Sequence, residues 1–155
     1  MHSANLLRAV LNEDWQNGGF GIYIHWPFCT AKCPYCDFNS HVQEIIIEKH
    51  WSTAYLSELD RLFQTIGARP LKTVFFGGGT PSLMSPDLVD QILSKIFSLW
   101  PRSHGLEISL EANPTSVEIG RFKGYQQAGV NRISLGVQAL NDNDLKRLGR
   151  LHSVK

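Results

Sequence analysis

Three cysteines lie within eight residues of one another, in the segment HWPFCTAKCPYCDFNS, and the 155-residue chain contains no others. Cys29, Cys33 and Cys36 have the spacing C-x3-C-x2-C. Packing as small buried hydrophobic side chains would explain one free cysteine but not three so close together. An odd number of clustered cysteines also argues against a set of disulfides, so these thiols are candidates for metal binding or catalysis.

Two kinds of metal centre compete for these three thiolates. A structural zinc ion would need a fourth ligand, for which His25 or His41 is available. Zinc ligands usually come as two pairs from separate segments, and the sequence has no second pair. An iron–sulfur cluster normally takes four thiolates, so three would leave one iron free to bind a small molecule. The missing fourth cysteine therefore favours a cluster with an open iron.

Short apolar runs alternate with amphipathic segments along the chain, which predicts repeated βα units. The predicted strands are GIYIHW (21–26), KTVFFGGG (72–79), LEISLEAN (106–113) and NRISLGVQ (131–138). The predicted helices cover 43–66, 85–100 with Ser85-Pro86 at its start, 115–129 with a TSVE capping box and Gly129 at its end, and the residues after Asn141. This α/β pattern fits a parallel sheet, either doubly wound or part of a (βα) barrel.

The composition points to a folded protein of near-neutral charge. The apolar fraction of 43% is enough for a core, and a net charge of +1 without a basic stripe does not indicate a nucleic-acid partner. The apolar runs are too short for a transmembrane segment. Polar residues Asn12, Glu13 and Asp14 interrupt the N-terminus before a signal peptide could form. We therefore expect a reducing, cytoplasmic location, in which thiols stay free.

Polar motifs follow the predicted strands at their carboxyl ends. GGGTP (77–81) is neither a P-loop nor a dinucleotide fingerprint, and alone it indicates only a turn. Three further motifs, taken singly, do not indicate a site either: EANP (111–114), GVQ (136–138) and Arg150 in LGRLHS. Arg150 alone would fit a basic residue at the C-terminal end of a helix. Carboxyl ends of parallel strands lie at one edge of a sheet or barrel. Together these motifs predict a polar ring suited to a polar cofactor.

The C-x3-C-x2-C spacing directly after a strand, with Tyr35 before the third cysteine, resembles the radical S-adenosylmethionine (SAM) superfamily. The resemblance implies that Cys29, Cys33 and Cys36 hold a [4Fe-4S] cluster and that SAM chelates the open iron. An electron from the cluster would then split SAM to a 5′-deoxyadenosyl radical. The family fold is a full or partial (βα)6 TIM-like barrel, of which this chain would be the N-terminal (βα)4 portion.

Longer stretches are similar to one branch of that superfamily, the oxygen-independent coproporphyrinogen III dehydrogenases and the HemW-like haem chaperones. They are YIHWPFC, YCDFNS, VFFGGGTPSL, EANPTS, GVNRISLGVQAL and LGRLHS, between about Ile22 and Ser153. The resemblance implies SAM contacts from Tyr23, Tyr35, Gly78, Gly79, Thr80, Glu111, Gln138 and Arg150. Arg150 would pair bidentately with a carboxylate, and Glu111 would take cationic or hydroxyl groups.

The residue two positions after the third cysteine distinguishes the two groups of relatives. The dehydrogenases carry a fourth cysteine there, whereas this chain has Phe38. The resemblance therefore favours a haem chaperone, which would bind haem, deliver it to respiratory proteins and need an electron donor for its cluster. The alternative is an enzyme of porphyrin biosynthesis that decarboxylates coproporphyrinogen III oxidatively.

The chain is also shorter than the family, whose members are more than twice its length. We expect residues 1–20 to form an N-terminal extension and residues 21–155 to form a truncated radical SAM core domain. The haem-contacting segment of HemW-like proteins would lie in the absent C-terminal part. An inactive fragment or a zinc-binding module is the alternative for so short a chain.

Overall fold

The structure, a computed structural model, describes residues 14–114 and 119–154. In chain order its elements are α1 Trp15–Gly18, β1 Phe20–Trp26, β2 Phe28–Cys29, β3 His41–Val42, α2 Glu48–Ile66, β4 Leu71–Gly78, a 3-10 turn Pro81–Leu83, α3 Pro86–Leu99, β5 Arg102–Ala112, α4 Ile119–Ala128, β6 Arg132–Leu135 and α5 Asp142–Arg147. The predicted capping box at 115–118 and most of the predicted extension at 1–20 lie outside the described residues.

Four of the six described strands form one parallel sheet in the order β1-β4-β5-β6, the same order as in the chain. Each new strand is added on the same side of the last one, and a helix crosses between β1 and β4, between β4 and β5, and between β5 and β6. A doubly wound sheet would reverse direction at a switch point. The order therefore resolves the two possibilities left open by the sequence in favour of the barrel type.

One face of this sheet is covered by the helices. Ile24, Val74 and Leu110 from three adjacent strands belong to a single core with side chains from α2, α3 and α4. The helical residues of that core with little or no exposed surface include Leu59, Val89, Ile92, Leu93, Ile96 and Tyr125. Such burial of apolar strand residues beneath crossover helices is the main source of stability in this class of fold.

The predicted α/β elements are present, but within the described residues three boundaries differ by three or more residues, one of them the start of β5 at Arg102 rather than residue 106. Helix α2 begins at Glu48 rather than residue 43, because the Glu48 carboxylate accepts hydrogen bonds from the Ser85 backbone N–H (2.8 Å) and hydroxyl (2.6 Å). Strand β6 ends at Leu135 rather than Gln138. Gly136 N–H still donates to Ala112 O of β5 at 2.9 Å, and beyond Gly136 the chain bonds locally, from Val137 N–H to Leu135 O and from Ala139 N–H to Val137 O.

Two predicted helix ends are confirmed. The Ser85 hydroxyl accepts a hydrogen bond from the Leu88 N–H at 3.2 Å and caps α3 before Pro86. Gly129 follows the last residue of α4 with a φ of 113°, a conformation that residues with a Cβ rarely adopt. Within the described residues, no helix is both long enough and apolar enough to cross a bilayer.

Candidate metal and cofactor site

A cavity of about 390 Å³ opens at the carboxyl ends of the sheet strands. Its size lies within the range of small-molecule sites, roughly 300–1,000 Å³. Its walls come from the cysteine loop and from the segments that follow β4, β5 and β6. Ten of the eleven predicted site residues line it: Cys29, Cys33, Tyr35, Cys36, Gly78, Gly79, Thr80, Glu111, Gln138 and Arg150. The structure thus brings together residues that are up to 121 positions apart in the chain.

The three thiols are free and lie in one loop. Cys29 is buried at the end of β2, and Cys33 and Cys36 are half-buried. Strand β2 pairs with β3 in parallel, Phe28 with His41 and Cys29 with Val42, which closes the base of the loop. The Cys36 N–H donates to Cys33 O at 3.0 Å and forms a turn between the second and third thiols. The loop is therefore folded back on itself, and all three thiols line the same cavity.

The thiols fit a multi-iron cluster better than a single ion. Within residues 14–114 and 119–154, no group of three His, Cys, Asp or Glu side chains could hold one metal ion. His25 has a protein neighbour at each ring nitrogen, Asn39 O at 2.9 Å from Nε2 and the Tyr23 hydroxyl at 3.3 Å from Nδ1. His41 is not among the residues that line the cavity. In a four-iron cluster each thiolate binds its own iron, so the sulfurs need only surround a common space.

The glycines after β4 allow close contact with the cysteine-bearing segment. Gly79 N–H donates to Trp26 O at 2.6 Å, and Thr80 N–H donates to Phe28 O at 2.8 Å. A Cβ on Gly79 would lie 2.6 Å from Phe28 O and 3.0 Å from Cys29 Sγ. Gly78 has a φ of 113°, a left-handed conformation that favours glycine. These glycines are therefore required for backbone packing against β2, whether or not a ligand is bound.

Glu111 and Tyr23 lie at one side of the cavity. Glu111 Oε2 accepts a hydrogen bond from Gly78 N–H at 3.3 Å. Tyr23 does not line the main cavity but a smaller adjoining one of about 150 Å³, whose walls also include Glu111, Gly78 and Phe38. Burial raises the pKa of Tyr23, and the negative charge of Glu111 raises it further. A ligand that contacts both Tyr23 and the cysteine loop would have to extend across both cavities.

Arg150 connects the cysteine loop to the ends of β5 and β6. Its Nη1 donates to Cys33 Sγ (3.2 Å) and lies 3.4 Å from the Tyr35 hydroxyl. Its Nη2 donates to Gly136 O (2.8 Å) and Asn113 Oδ1 (3.1 Å), while Nε is buried and has no hydrogen-bond partner in the part of the chain that the structure describes. Bidentate pairing with a ligand carboxylate stays a prediction, and it would require Arg150 to exchange part of these contacts.

Sequence reasoning missed four polar residues of this site: Lys32, Ser40, Asn113 and Ser134. Lys32 lies between the first two cysteines, and Asn113 follows Glu111 in the EANP motif. Their positions inside motifs already singled out were the available signal. Lys32 contacts other residues of the folded loop, and Asn113 contacts Arg150, which is distant in the chain. The spacing of the cysteines does not specify either set of contacts.

The fold matches a solved structure, that of the radical SAM enzyme coproporphyrinogen III oxidase (HemN) from Escherichia coli. The TM-score is 0.78 with 24% sequence identity, and the match covers 86% of this chain and 31% of that protein. At this identity the likeness shows the fold alone.

Sequence relatives are closer in identity. Heme chaperone HemW from Haemophilus influenzae is 46% identical over 138 residues, which are 86% of this chain and 36% of that protein. Heme chaperone HemW from Escherichia coli is 46% identical over 132 residues, which are 84% of this chain and 35% of that protein. The mitochondrial radical S-adenosyl methionine domain-containing protein 1 of Bos taurus is 40% identical over 134 residues, which are 86% of this chain and 30% of that protein.

The chain spans about a third of the length of these curated relatives. The sequence profile of the Radical SAM superfamily matches residues 23–155, which are most of the chain and include all three cysteines. This protein belongs to the Radical SAM superfamily.

Proposed function

We propose that this chain is the cluster- and SAM-binding portion of a haem chaperone of the HemW type. The observation that carries the proposal is the 46% identity to two HemW proteins over more than four-fifths of the chain. The cavity supports it, because three free thiols and polar groups from three strand ends line one space.

Cys29, Cys33 and Cys36 would hold a [4Fe-4S] cluster, which requires the thiolate form of each side chain. When bound and reduced by an electron donor, the cluster supplies the electron for reductive cleavage of SAM. Burial of Cys29 and half-burial of the other two thiols limit access of water to the site. These residues therefore provide a partly enclosed site with room beside it for a second ligand.

SAM is zwitterionic in its methionine part, and the cavity offers groups for both charges. The Arg150 guanidinium would pair with the carboxylate, and the Glu111 carboxylate would accept from an ammonium or hydroxyl group. Gly78, Gly79 and Thr80 bring backbone close to the cavity, and Tyr35, Gln138 and Tyr23 provide polar side chains around it. These assignments follow the family resemblance and the shared cavity.

Phe38 supports the chaperone over the dehydrogenase. It lines both cavities with 57% of its surface exposed, and it occupies the position of the dehydrogenases' fourth cysteine. We infer that the protein transfers haem to respiratory proteins rather than decarboxylating coproporphyrinogen III, and that the haem contacts lie in the part of the relatives that this chain does not cover. Free thiols at the site suit the reducing cytoplasm.

Anaerobic reconstitution of the full-length protein tests the proposal. We expect about four irons and four sulfides per chain and an electron paramagnetic resonance spectrum that changes on addition of SAM. Haem should bind and pass to a haem-free respiratory acceptor. Stoichiometric zinc without sulfide would refute the cluster. Formation of protoporphyrinogen from coproporphyrinogen III, SAM and a reductant would refute the chaperone as the sole function.

A further inference from the structure

Lys32 makes three hydrogen bonds although it is itself an exposed residue. Its ammonium group donates to Phe38 O (3.0 Å), Ser40 O (3.1 Å) and the Ser40 hydroxyl (3.2 Å). All three acceptors are uncharged, and Ser40 is buried, with 6% of its surface exposed. These three acceptors hold the ammonium group in one place, although the residue is exposed to solvent.

The contacts join two parts of the cysteine loop. Lys32 precedes Cys33, and Phe38 follows Cys36, so the hydrogen bond to Phe38 O encloses both thiols in a short ring of chain. Cys29 lies outside this ring and is held by the pairing of β2 with β3. The loop thus has two separate closures, one at its base and one through Lys32.

The ring closure matters because the loop has little other structure. Between β2 and β3 the structure has neither a helix nor a strand, and the Cys36–Cys33 backbone hydrogen bond forms a single turn. A ligand loop that is already ordered loses less conformational entropy when its ligand binds. Hydrogen bonds from a charged donor are stronger than neutral ones, which suits Lys32 to this closure.

The charge of Lys32 has a second consequence. Lys32 lines the main cavity together with the three cysteines. Three thiolates outweigh the positive charge of an oxidised four-iron core by about one unit, and reduction of the cluster would add one more negative charge. A cation fixed beside the cavity stabilises the added electron, and net charge and hydrogen bonding are the factors that set cluster potentials.

We propose that Lys32 is a positioning residue for the iron–sulfur cluster, which orders Cys33 and Cys36 for binding and raises the reduction potential of the bound cluster. The proposal rests on the proposed function for the cluster itself. The contacts of Lys32 also exist in the metal-free chain, so part of the proposal can be tested without a cluster.

The test compares Lys32→Met with Lys49→Met, which removes the same charge from an exposed lysine on α2 outside the cavity. In Lys32→Met we expect iron to pass to a chelator about tenfold faster, the usual cost of removing a group that orients a metal ligand. The midpoint potential should become more negative, and amide hydrogen exchange at 33–40 should be faster in the metal-free protein. Lys49→Met should match the wild type, and Lys32→Arg should restore the potential.

Each result decides the proposal. Wild-type iron release and potential in Lys32→Met would overturn it, as would equal changes in Lys49→Met. If the wild-type protein takes up no cluster, the proposed function fails, and hydrogen exchange then decides the loop closure. Unchanged exchange at 33–40 in Lys32→Met would overturn that closure, whereas faster exchange would support it.

Discussion

The helix-covered face of the sheet and the carboxyl-end cavity are held together by different interactions. On the covered face, Val74, Ile92 and Leu110 have at most 1% of their surface exposed and pack against other apolar side chains. At the cavity, many of the hydrogen bonds run from a side chain to a backbone carbonyl, as in Lys32 to Phe38 O and Arg150 to Gly136 O. Stability and ligand chemistry therefore reside in different residues, and mutations should separate them.

Removing a thiol should give the largest effect, and only at the cavity. In Cys33→Ala we expect complete loss of the cluster, because a ligand of one iron is missing, while the metal-free protein loses less than about 1 kcal/mol of stability. Iron and sulfide counts and urea unfolding measure the two quantities. Phe38→Cys is the control, which should keep the cluster and gain no dehydrogenase activity. A full cluster in Cys33→Ala would contradict the assignment.

Removing apolar volume from the core should have the opposite result, with lower stability and a retained cluster. Leu93 has 0% of its surface exposed, and Leu93→Ala should lower the free energy of unfolding by about 2–5 kcal/mol. Urea unfolding of the metal-free protein measures this, with Leu140→Ala, at a residue 87% exposed, as the control expected to stay within about 0.5 kcal/mol. Loss of the cluster from Leu93→Ala protein that is still folded would break the separation between the two regions.

Gly79 is the position where the two regions are expected to be coupled. The added Cβ of Gly79→Ala would lie 2.6 Å from Phe28 O, so the backbone must shift at a cost of about 1–3 kcal/mol. Because Cys29 Sγ is also only 3.0 Å away, iron should be held less tightly as well. Gly18→Ala, where no atom from elsewhere in residues 14–114 or 119–154 lies within 4 Å of the added Cβ, is the control. Equal stability and iron retention in both variants would argue against the close contact.

The smallest effect is expected from Tyr125, which links α4 to the segment after β4. Its hydroxyl donates to Met84 O at 2.6 Å and lies 2.9 Å from Ser82 O. Tyr125→Phe should cost about 1 kcal/mol at neutral pH, measured by urea unfolding, with iron retention unchanged. A loss of iron would show that this contact also supports the cavity.

The Tyr125 contribution should depend on pH. Burial raises the pKa of Tyr125 to about 12, whereas an unfolded tyrosine ionises near pH 10. Between these values the unfolded state releases a proton that the folded state keeps, so stability falls as pH rises. The free energy of unfolding of wild type minus that of Tyr125→Phe should therefore be constant below about pH 10, fall above it and change sign before pH 12, because the change in pKa corresponds to about 3 kcal/mol against about 1 kcal/mol from the hydrogen bond. A constant difference throughout that range would contradict the assigned pKa.

Much of the fold could be predicted from the sequence because its signals are local. Ser85-Pro86 begins α3, Gly129 follows α4, and alternation of apolar runs with helical patterns predicted four parallel strands. The start of α2 could not be predicted in this way, because the contact of Glu48 with Ser85 joins residues 37 positions apart. The end of β6 also escaped prediction, since local hydrogen bonds replaced pairing with β5 after Gly136.

The candidate site likewise has features that could be predicted from the sequence and features that could not. The spacing of Cys29, Cys33 and Cys36, and the polar residues expected after each strand, could be recognised from local sequence. Three features required the folded chain: Tyr23 lies in an adjoining cavity, Arg150 contacts Cys33, and the strands of the sheet keep their chain order. The physical reason is that a ligand loop is specified by neighbouring residues, whereas the contacts across a cavity depend on how distant strands are placed beside one another.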